Sequence, residues 1–228
     1  MNSDRPDSLY SAIDSVSESL FFNRLISNSQ RDAVANWIVG RQGLPDAYAD
    51  MFAPTEKDTH GVCLFTGEAV RSRVGIAHIL GEECCRVIAL LDVRNRQVRN
   101  ALDRAKSGLS QKIDQWETCR RSPGLYCCGT CSAAYWRNLA IGLLPRSEER
   151  LRLGLRGLRK LRTRDGRWRR FPFFYTCLVL TEIGPHLARD EMQYAAPYWQ
   201  RNLNKLSTAS GRVWKRRAAV GQRLLEMC

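Results

Sequence analysis

The order of apolar and polar residues along the chain predicts helices over most of its length. Leu9, Ile13, Val16 and Leu20 recur three or four residues apart, which is the spacing of an amphipathic helix. Further amphipathic or polar helices are predicted over residues 31–39, 99–116, 148–162, 191–206 and 213–227, with a turn at 185–190. Residues 61–69 are compatible with either a short strand or a loop. Because no segment shows a clear strand alternation, we predict an all-α fold.

Three other segments are apolar on nearly every side and predict buried helices, over residues 74–91, 125–143 and 173–183. The last of these is bounded most clearly. Asp165 and Gly166 form a predicted turn in which the glycine takes a positive φ, and Pro172 suits the first turn of the helix that follows. A helix that is apolar all round has to be buried all round, so we expect it to lie among several others.

The buried and amphipathic helices alternate as an internal repeat. Three helix pairs are predicted, each with an amphipathic outer helix and an apolar inner one, and a cysteine falls at an equivalent place in each inner helix. Cys84, Cys131 and Cys177 are separated by 47 and 46 residues. A period of this length is typical of stacked helical hairpins, in which each pair buries its apolar face against its neighbours. The inner helices are then expected to line a concave core.

This pattern resembles the α/α-toroid fold of terpenoid cyclases and protein prenyltransferase β subunits. The resemblance covers residues 31–190 and is best in the third repeat, where FPFFYTCLVLTEI forms the inner helix. It predicts part of a toroid over 31–190, preceded by a polar leader and helix (1–30) and followed by basic helices packed on the same domain (191–228). The chain departs from these enzymes in lacking the Asp-x-Asp-Asp motif of the class II cyclases and recognisable prenyltransferase zinc ligands.

The resemblance implies a cavity lined by aromatic rings, which in such folds surrounds isoprenoid chains. Arginines near the third inner helix suit the binding of a phosphate or diphosphate at the mouth of this cavity. Each ring can equally well fill the core. The predicted ligand-binding residues are Tyr126, Tyr135, Trp136, Arg164, Arg167, Trp168, Arg169, Arg170, Phe173 and Tyr175.

Three ionisable residues of the inner helices are candidates for acid–base catalysis. His78 and Glu82 lie one helical turn apart, and Glu182 lies near the end of the third inner helix. The alternative is that they are hydrogen-bonded groups of the core or its rim.

The densest cysteine cluster comprises Cys119, Cys127, Cys128 and Cys131. If residues 125–143 are helical, the last three share one face, and thiolates at this density can bind zinc or an iron–sulfur cluster. The spacing matches no familiar zinc ribbon. The alternative is that these cysteines act as small buried apolar residues in close helix packing.

Charge adds the main clue to a partner. The 228 residues carry a net charge of +13, and residues 145–228 hold 19 Lys and Arg against 7 Asp and Glu. Such asymmetry favours an anionic partner. No apolar run is long enough for a membrane span, the N-terminal residues do not form a secretory signal, and nine cysteines suit a reducing compartment, so a cytoplasmic location is expected.

The sequence therefore favours a binding protein, or a small enzyme, that holds an anionic ligand with an apolar body, of which an isoprenoid diphosphate is the type case. One alternative is a nucleic-acid-binding helical-repeat protein that uses the basic C-terminal third. A second is a metal or redox protein built on the cysteines at 119–131. A protein scaffold is a further alternative.

Overall fold

A computed structural model describes residues 6–120 and 122–228. The first five residues of the predicted leader and Arg121, at the start of a predicted turn, lie outside the described residues. The α-helices are α1 (Leu9–Phe21), α2 (Asn28–Val39), α3 (Arg73–Leu91), α4 (Arg96–Arg120), α5 (Gly129–Ala140), α6 (Ser147–Arg159), α7 (Phe173–Ile183), α8 (Pro185–Thr208) and α9 (Arg212–Glu226).

The remaining regular structure is small. A 3-10 helix covers Glu56–His60, and strands β1 (Val62–Cys63) and β2 (Ala69–Val70) form a two-stranded sheet. The prediction of an all-α fold is confirmed, and the ambiguous segment 61–69 is a short hairpin.

The described chain divides into two compact units. Unit 1 comprises residues 6–62 and 69–115, and unit 2 comprises residues 63–68, 116–120 and 122–228. The predicted division at residues 30 and 190 stays a prediction.

Unit 1 is built around α3, against which both α1 and α2 pack. Most residues of α3 are buried, as its apolar sequence predicts. The start of α1 is fixed by Asp58, whose carboxylate accepts hydrogen bonds from the backbone N–H groups of Leu9 (3.0 Å) and Tyr10 (3.1 Å). Asp58 thereby pairs two of the donors that a helix N-terminus leaves without intrahelical partners.

Unit 2 is built around α7, which packs against α5, α8 and α9. Nine residues of this helix are buried, including Leu178, Val179 and Leu180 at 0% exposure. The predicted bounds of this helix are confirmed, with Pro172 as its N-cap and Gly184 ending it at a φ of 87°. The α8–α9 contact is close because the ring of Trp199 lies directly over Gly221.

The hairpin tip, residues 63–68, is tied to α7 and α9 of unit 2. Arg216 donates to the carbonyl of Phe65 (3.1 Å), and Arg217 donates to the carbonyl of Thr66 (2.7 Å). The Glu68 carboxylate accepts the backbone N–H of Tyr175 (2.9 Å), in the first turn of α7. A carboxylate is favourable there because the N-terminal end of a helix is electropositive.

Two predicted helix starts are wrong by at least four residues. The second inner helix begins at Gly129, not at residue 125, because Cys127 is left-handed (φ 56°) and Cys128 is extended. The predicted turn at 185–190 is helical, because Pro185 occupies the first position of α8, where a missing N–H costs nothing.

We expect Gly221→Ala to lower the free energy of unfolding by about 1–3 kcal/mol, because the added methyl group would overlap the Trp199 ring. Urea unfolding followed by circular dichroism measures the change. Gly40→Ala is the control, since that glycine has an ordinary helical φ of −61° and its nearest neighbouring atom, the Trp37 carbonyl oxygen, would lie 3.4 Å from the new carbon. Equal midpoints for the two variants would contradict close packing at Gly221.

Candidate functional site

The aromatic residues predicted to bind a ligand lie in the core of unit 2. The exposure of these six side chains does not exceed 9%. Trp136 stacks on Phe171 at 5.4 Å and donates its indole N–H to the carbonyl of Gly124 (2.7 Å). Trp168 donates to the carboxylate of Glu191 (2.9 Å). The rings are thus engaged in packing, the indole N–H groups of both tryptophans are hydrogen-bonded, and a role in ligand binding stays a prediction. The six residues are Tyr126, Tyr135, Trp136, Trp168, Phe173 and Tyr175.

The four predicted arginines are exposed and lie in the α6–α7 connection, residues 160–172. Two backbone hydrogen bonds shape this connection, from Thr163 to the carbonyl of Arg167 and from Arg169 to the carbonyl of Leu161 (2.8 and 2.9 Å). Within the described part of the chain, the side chains of Arg164, Arg169 and Arg170 make neither a hydrogen bond nor an ion pair. They are positioned to meet an anion from solution.

Arg167 begins a row of two cations and three rings that we call the cation–aromatic stripe: Arg167, Tyr198, Phe174, Arg217 and Trp214. The Arg167 guanidinium lies 4.8 Å from the Tyr198 ring, which is 6.3 Å from the Phe174 ring. The Arg217 guanidinium lies 4.1 Å from the Phe174 ring and 4.9 Å from the Trp214 ring. The stripe joins residues 167–174 to residues 198–217, which are far apart in the sequence.

The two ends of the stripe are its most accessible parts. Arg167 is exposed, Trp214 is 38% exposed, and the three residues between them are half-buried. Arg217 is held in place by its hydrogen bond to Thr66 in the hairpin tip. Phe174 and Tyr198 were not predicted to lie at the surface beside the arginines. Only the packing of α7 against α8 brings their rings there.

In unit 1, His78 and Glu82 form a buried pair on α3. The imidazole Nε2 and a carboxylate oxygen are 3.5 Å apart, and the two side chains are 3% and 0% exposed. The Tyr48 ring stacks on His78 with a centroid distance of 4.4 Å. The predicted one-turn spacing therefore does bring the two groups together, while their catalytic role stays a prediction.

In unit 2, Glu182 forms a two-point ion pair with Arg137. The Arg137 Nε–H and Nη2–H groups donate to the two carboxylate oxygens of Glu182, at 2.7 and 2.8 Å. Arg137 is 3% exposed and its guanidinium also lies 5.6 Å from the Tyr175 ring. Glu182 therefore neutralises a buried cation between α5 and α7, and its catalytic role stays a prediction.

The structure brings together three of the four clustered cysteines. The sulfurs of Cys128 and Cys131 are 3.5 Å apart, and those of Cys127 and Cys131 lie within 4.8 Å of each other. Cys119 is exposed in the last turn of α4. The expectation that Cys127 and Cys128 lie on a helical face is wrong, since both precede α5, with Cys128 as its N-cap. The converging sulfurs are donors of the type that soft metals such as zinc prefer.

The cysteines inside α3 and α7 have a different environment. Cys84, Cys85 and Cys177 are completely buried, and burial raises the pKa of each thiol. Cys177 also accepts a hydrogen bond from the indole N–H of Trp199 (3.3 Å). These thiols are small apolar packing groups, because a buried thiolate is strongly disfavoured.

No protein-family model, curated protein or solved structure matches the chain. The evidence for the helical architecture is the structure. Among the described residues, no helix is long and apolar enough to cross a membrane. A function therefore has to be argued from the contacts and charges of the chain's own residues.

Replacing Glu182 alone should be strongly destabilising. We expect Glu182→Ala to lower the free energy of unfolding by about 3–5 kcal/mol, because it leaves the Arg137 charge buried without its counter-charge. Urea unfolding measures this loss. The double variant Arg137→Met/Glu182→Leu should lose less, because it removes both charges together. A Glu182→Ala protein as stable as the unaltered chain would contradict the ion pair.

Proposed function

We propose that the protein binds an anionic ligand that carries flat rings, and that this ligand is a single-stranded nucleic acid. The observation that carries the proposal is the cation–aromatic stripe of unit 2. Guanidinium groups that lie beside rings offer a phosphate backbone its counter-charges and offer bases a stacking surface. The spacing between neighbouring groups, 4.1–6.3 Å, leaves the stripe continuous from Arg167 to Trp214.

The charge of the surrounding surface supports this proposal. The stripe lies in the strongly basic C-terminal part of the chain, where residues 145–228 have a net charge of +12. Arg164, Arg169 and Arg170 are exposed beside Arg167, and Lys215 is exposed beside Trp214. Among the described residues Arg164, Arg169 and Arg170 make no ion pair, so they can neutralise phosphates without first breaking one, whereas Arg167 is already paired with Asp165 (3.2 Å).

The isoprenoid diphosphate is the second candidate ligand, and the basic surface would serve its head group equally well. Its apolar chain needs an enclosed space, whereas the six rings predicted to line that space are packed in the core. The half-buried and exposed rings of the stripe suit flat bases better than a long isoprenoid chain. For this reason we place the nucleic acid first.

We also propose that the helices are arranged as three hairpin repeats related to those of α/α toroids. What supports this is the alternation along the chain, in which the mostly exposed α2 and the amphipathic α6 precede the largely buried α3 and α7. Cys84, Cys131 and Cys177 are buried at the three repeat positions.

The first test is the salt dependence of binding to a fluorescently labelled oligothymidylate, measured by anisotropy. We expect affinity to fall steeply with salt, and the triple variant Arg164→Gln/Arg169→Gln/Arg170→Gln to reduce the magnitude of the log–log slope by about 2, since each phosphate contact on a single strand contributes about 0.7. The matched control is Arg94→Gln/Arg96→Gln/Arg99→Gln, which removes three exposed arginines from unit 1. It should leave the slope unchanged.

The second test separates stacking from charge. Trp214→Ala should weaken oligothymidylate binding by about 1–3 kcal/mol with little change in the salt slope, because it removes a stacking ring and no charge. Trp214→Phe should recover much of the affinity. Binding of farnesyl diphosphate, but not of oligothymidylate, in calorimetry would overturn the nucleic-acid assignment in favour of the second candidate. Equal effects of the two triple variants would contradict the stripe as the binding surface.

A further inference from the structure

We propose that Cys128 and Cys131 form a redox-active dithiol that exchanges with disulfides, because their sulfurs meet at the first turn of α5, with one accessible and the other shielded. This site is separate from the cation–aromatic stripe, and the inference does not depend on nucleic-acid binding. The two residues occupy a Cys-Gly-Thr-Cys sequence.

The geometry of the pair suits reversible disulfide formation. The two sulfurs are 3.5 Å apart, and an S–S bond of about 2.05 Å requires an approach of about 1.5 Å. Cys128 is exposed and can meet a bulky disulfide, whereas Cys131 is only 3% exposed. The division into an attacking thiol and a shielded resolving thiol is thus built into the site.

The buried hydroxyl group of Ser132, in α5, helps to hold the loop that carries Cys128. Ser132, which is 2% exposed, accepts the backbone N–H of Tyr126 (2.9 Å) and donates to the carbonyl of the same residue (3.0 Å). Gly129 lies so close to the carbonyl of Arg170 that a side chain would not fit there. These contacts fix the direction from which Cys128 approaches Cys131.

The position relative to the helix also favours the reaction. Cys128 is the N-cap of α5, where the electropositive end of a helix stabilises a thiolate. By contrast, Cys84, Cys85 and Cys177 lie inside helices, where burial raises the pKa of their thiols. Cys119 is exposed but lies at the C-terminal end of α4.

The exchange has two steps. The Cys128 thiolate attacks one sulfur of a disulfide R–S–S–R, which forms a Cys128–S–S–R bond, and the departing thiolate R–S⁻ takes up a proton. The Cys131 thiol then loses its proton, and its sulfur attacks the Cys128 sulfur and displaces the second R–S⁻. In total, the dithiol is oxidised to a disulfide and R–S–S–R is reduced to two R–SH. The class of co-reactant is a low-molecular-weight or exposed protein disulfide.

The test uses the full chain, reduced and then equilibrated with oxidised glutathione, followed by alkylation and mass spectrometry. We expect an intramolecular Cys128–Cys131 disulfide. Cys131→Ser should accumulate a mixed disulfide with glutathione at Cys128, because the resolving thiol is missing. Cys128→Ser should leave Cys131 reduced, and since Cys128 is exposed, this variant is expected to fold. Cys119→Ser and Cys127→Ser are the controls and should oxidise as the unaltered chain does.

Three results would overturn the proposal. In the first, both thiols remain open to alkylation after equilibration in excess oxidised glutathione. In the second, the disulfide that forms joins Cys127 to Cys131. In the third, the purified protein contains stoichiometric zinc that protects the thiols from oxidation and is lost in Cys128→Ser, which assigns the cluster to a metal.

Discussion

The architecture of unit 2 depends on the burial of α7, in which nine of the eleven residues are buried and Phe174 and Glu182 are half-buried. An almost wholly apolar helix needs neighbours on most sides, and α5, α8 and α9 supply them. Its ends then need polar partners inside the protein. Glu68 accepts the N–H of Tyr175 at the start of the helix, and Arg137 pairs with Glu182 near its end. These partners come from the hairpin tip and from α5, so enclosing α7 determines where both must lie.

That constraint explains why the interior of unit 2 is filled with aromatic rings. Large rings such as Trp136 and Trp199 fill the space between helices, and glycines at the contact positions let the backbones approach them. The two candidate sites lie at the surface and in the connections between helices. The 160–172 connection serves both candidate sites, because Arg167 begins the cation–aromatic stripe while the carbonyl of Arg170 lies against Gly129 beside the dithiol.

How much the sequence predicts depends on whether an element is fixed by local chemistry. The bounds of α7 follow from its apolar run, Pro172 and the break at Gly184, and the prediction is confirmed. The start of α5 cannot be predicted from the apolar pattern. It depends on the left-handed Cys127 and on the Ser132 hydroxyl, which is hydrogen-bonded to the backbone of Tyr126. The cation–aromatic stripe could not be predicted either, because its residues are brought together only by the packing of helices. Phe174 and Arg217 are distant in sequence, and only the packing of α7 against α9 makes them neighbours.

The three cysteines at equivalent places in the proposed repeat have different environments. Cys84 and Cys177 lie beyond the first turn of their helices, surrounded by side chains, where a thiol can only pack. Cys131 occupies the equivalent place in the proposed repeat, but α5 begins later than its apolar run predicts, so this cysteine falls in the first turn. A second thiol, Cys128, then occupies the N-cap position that the shortened helix creates. In the proposed exchange, the reactivity of these cysteines therefore depends on where the helix begins, and in α5 the left-handed Cys127 and the Ser132 hydroxyl fix that point.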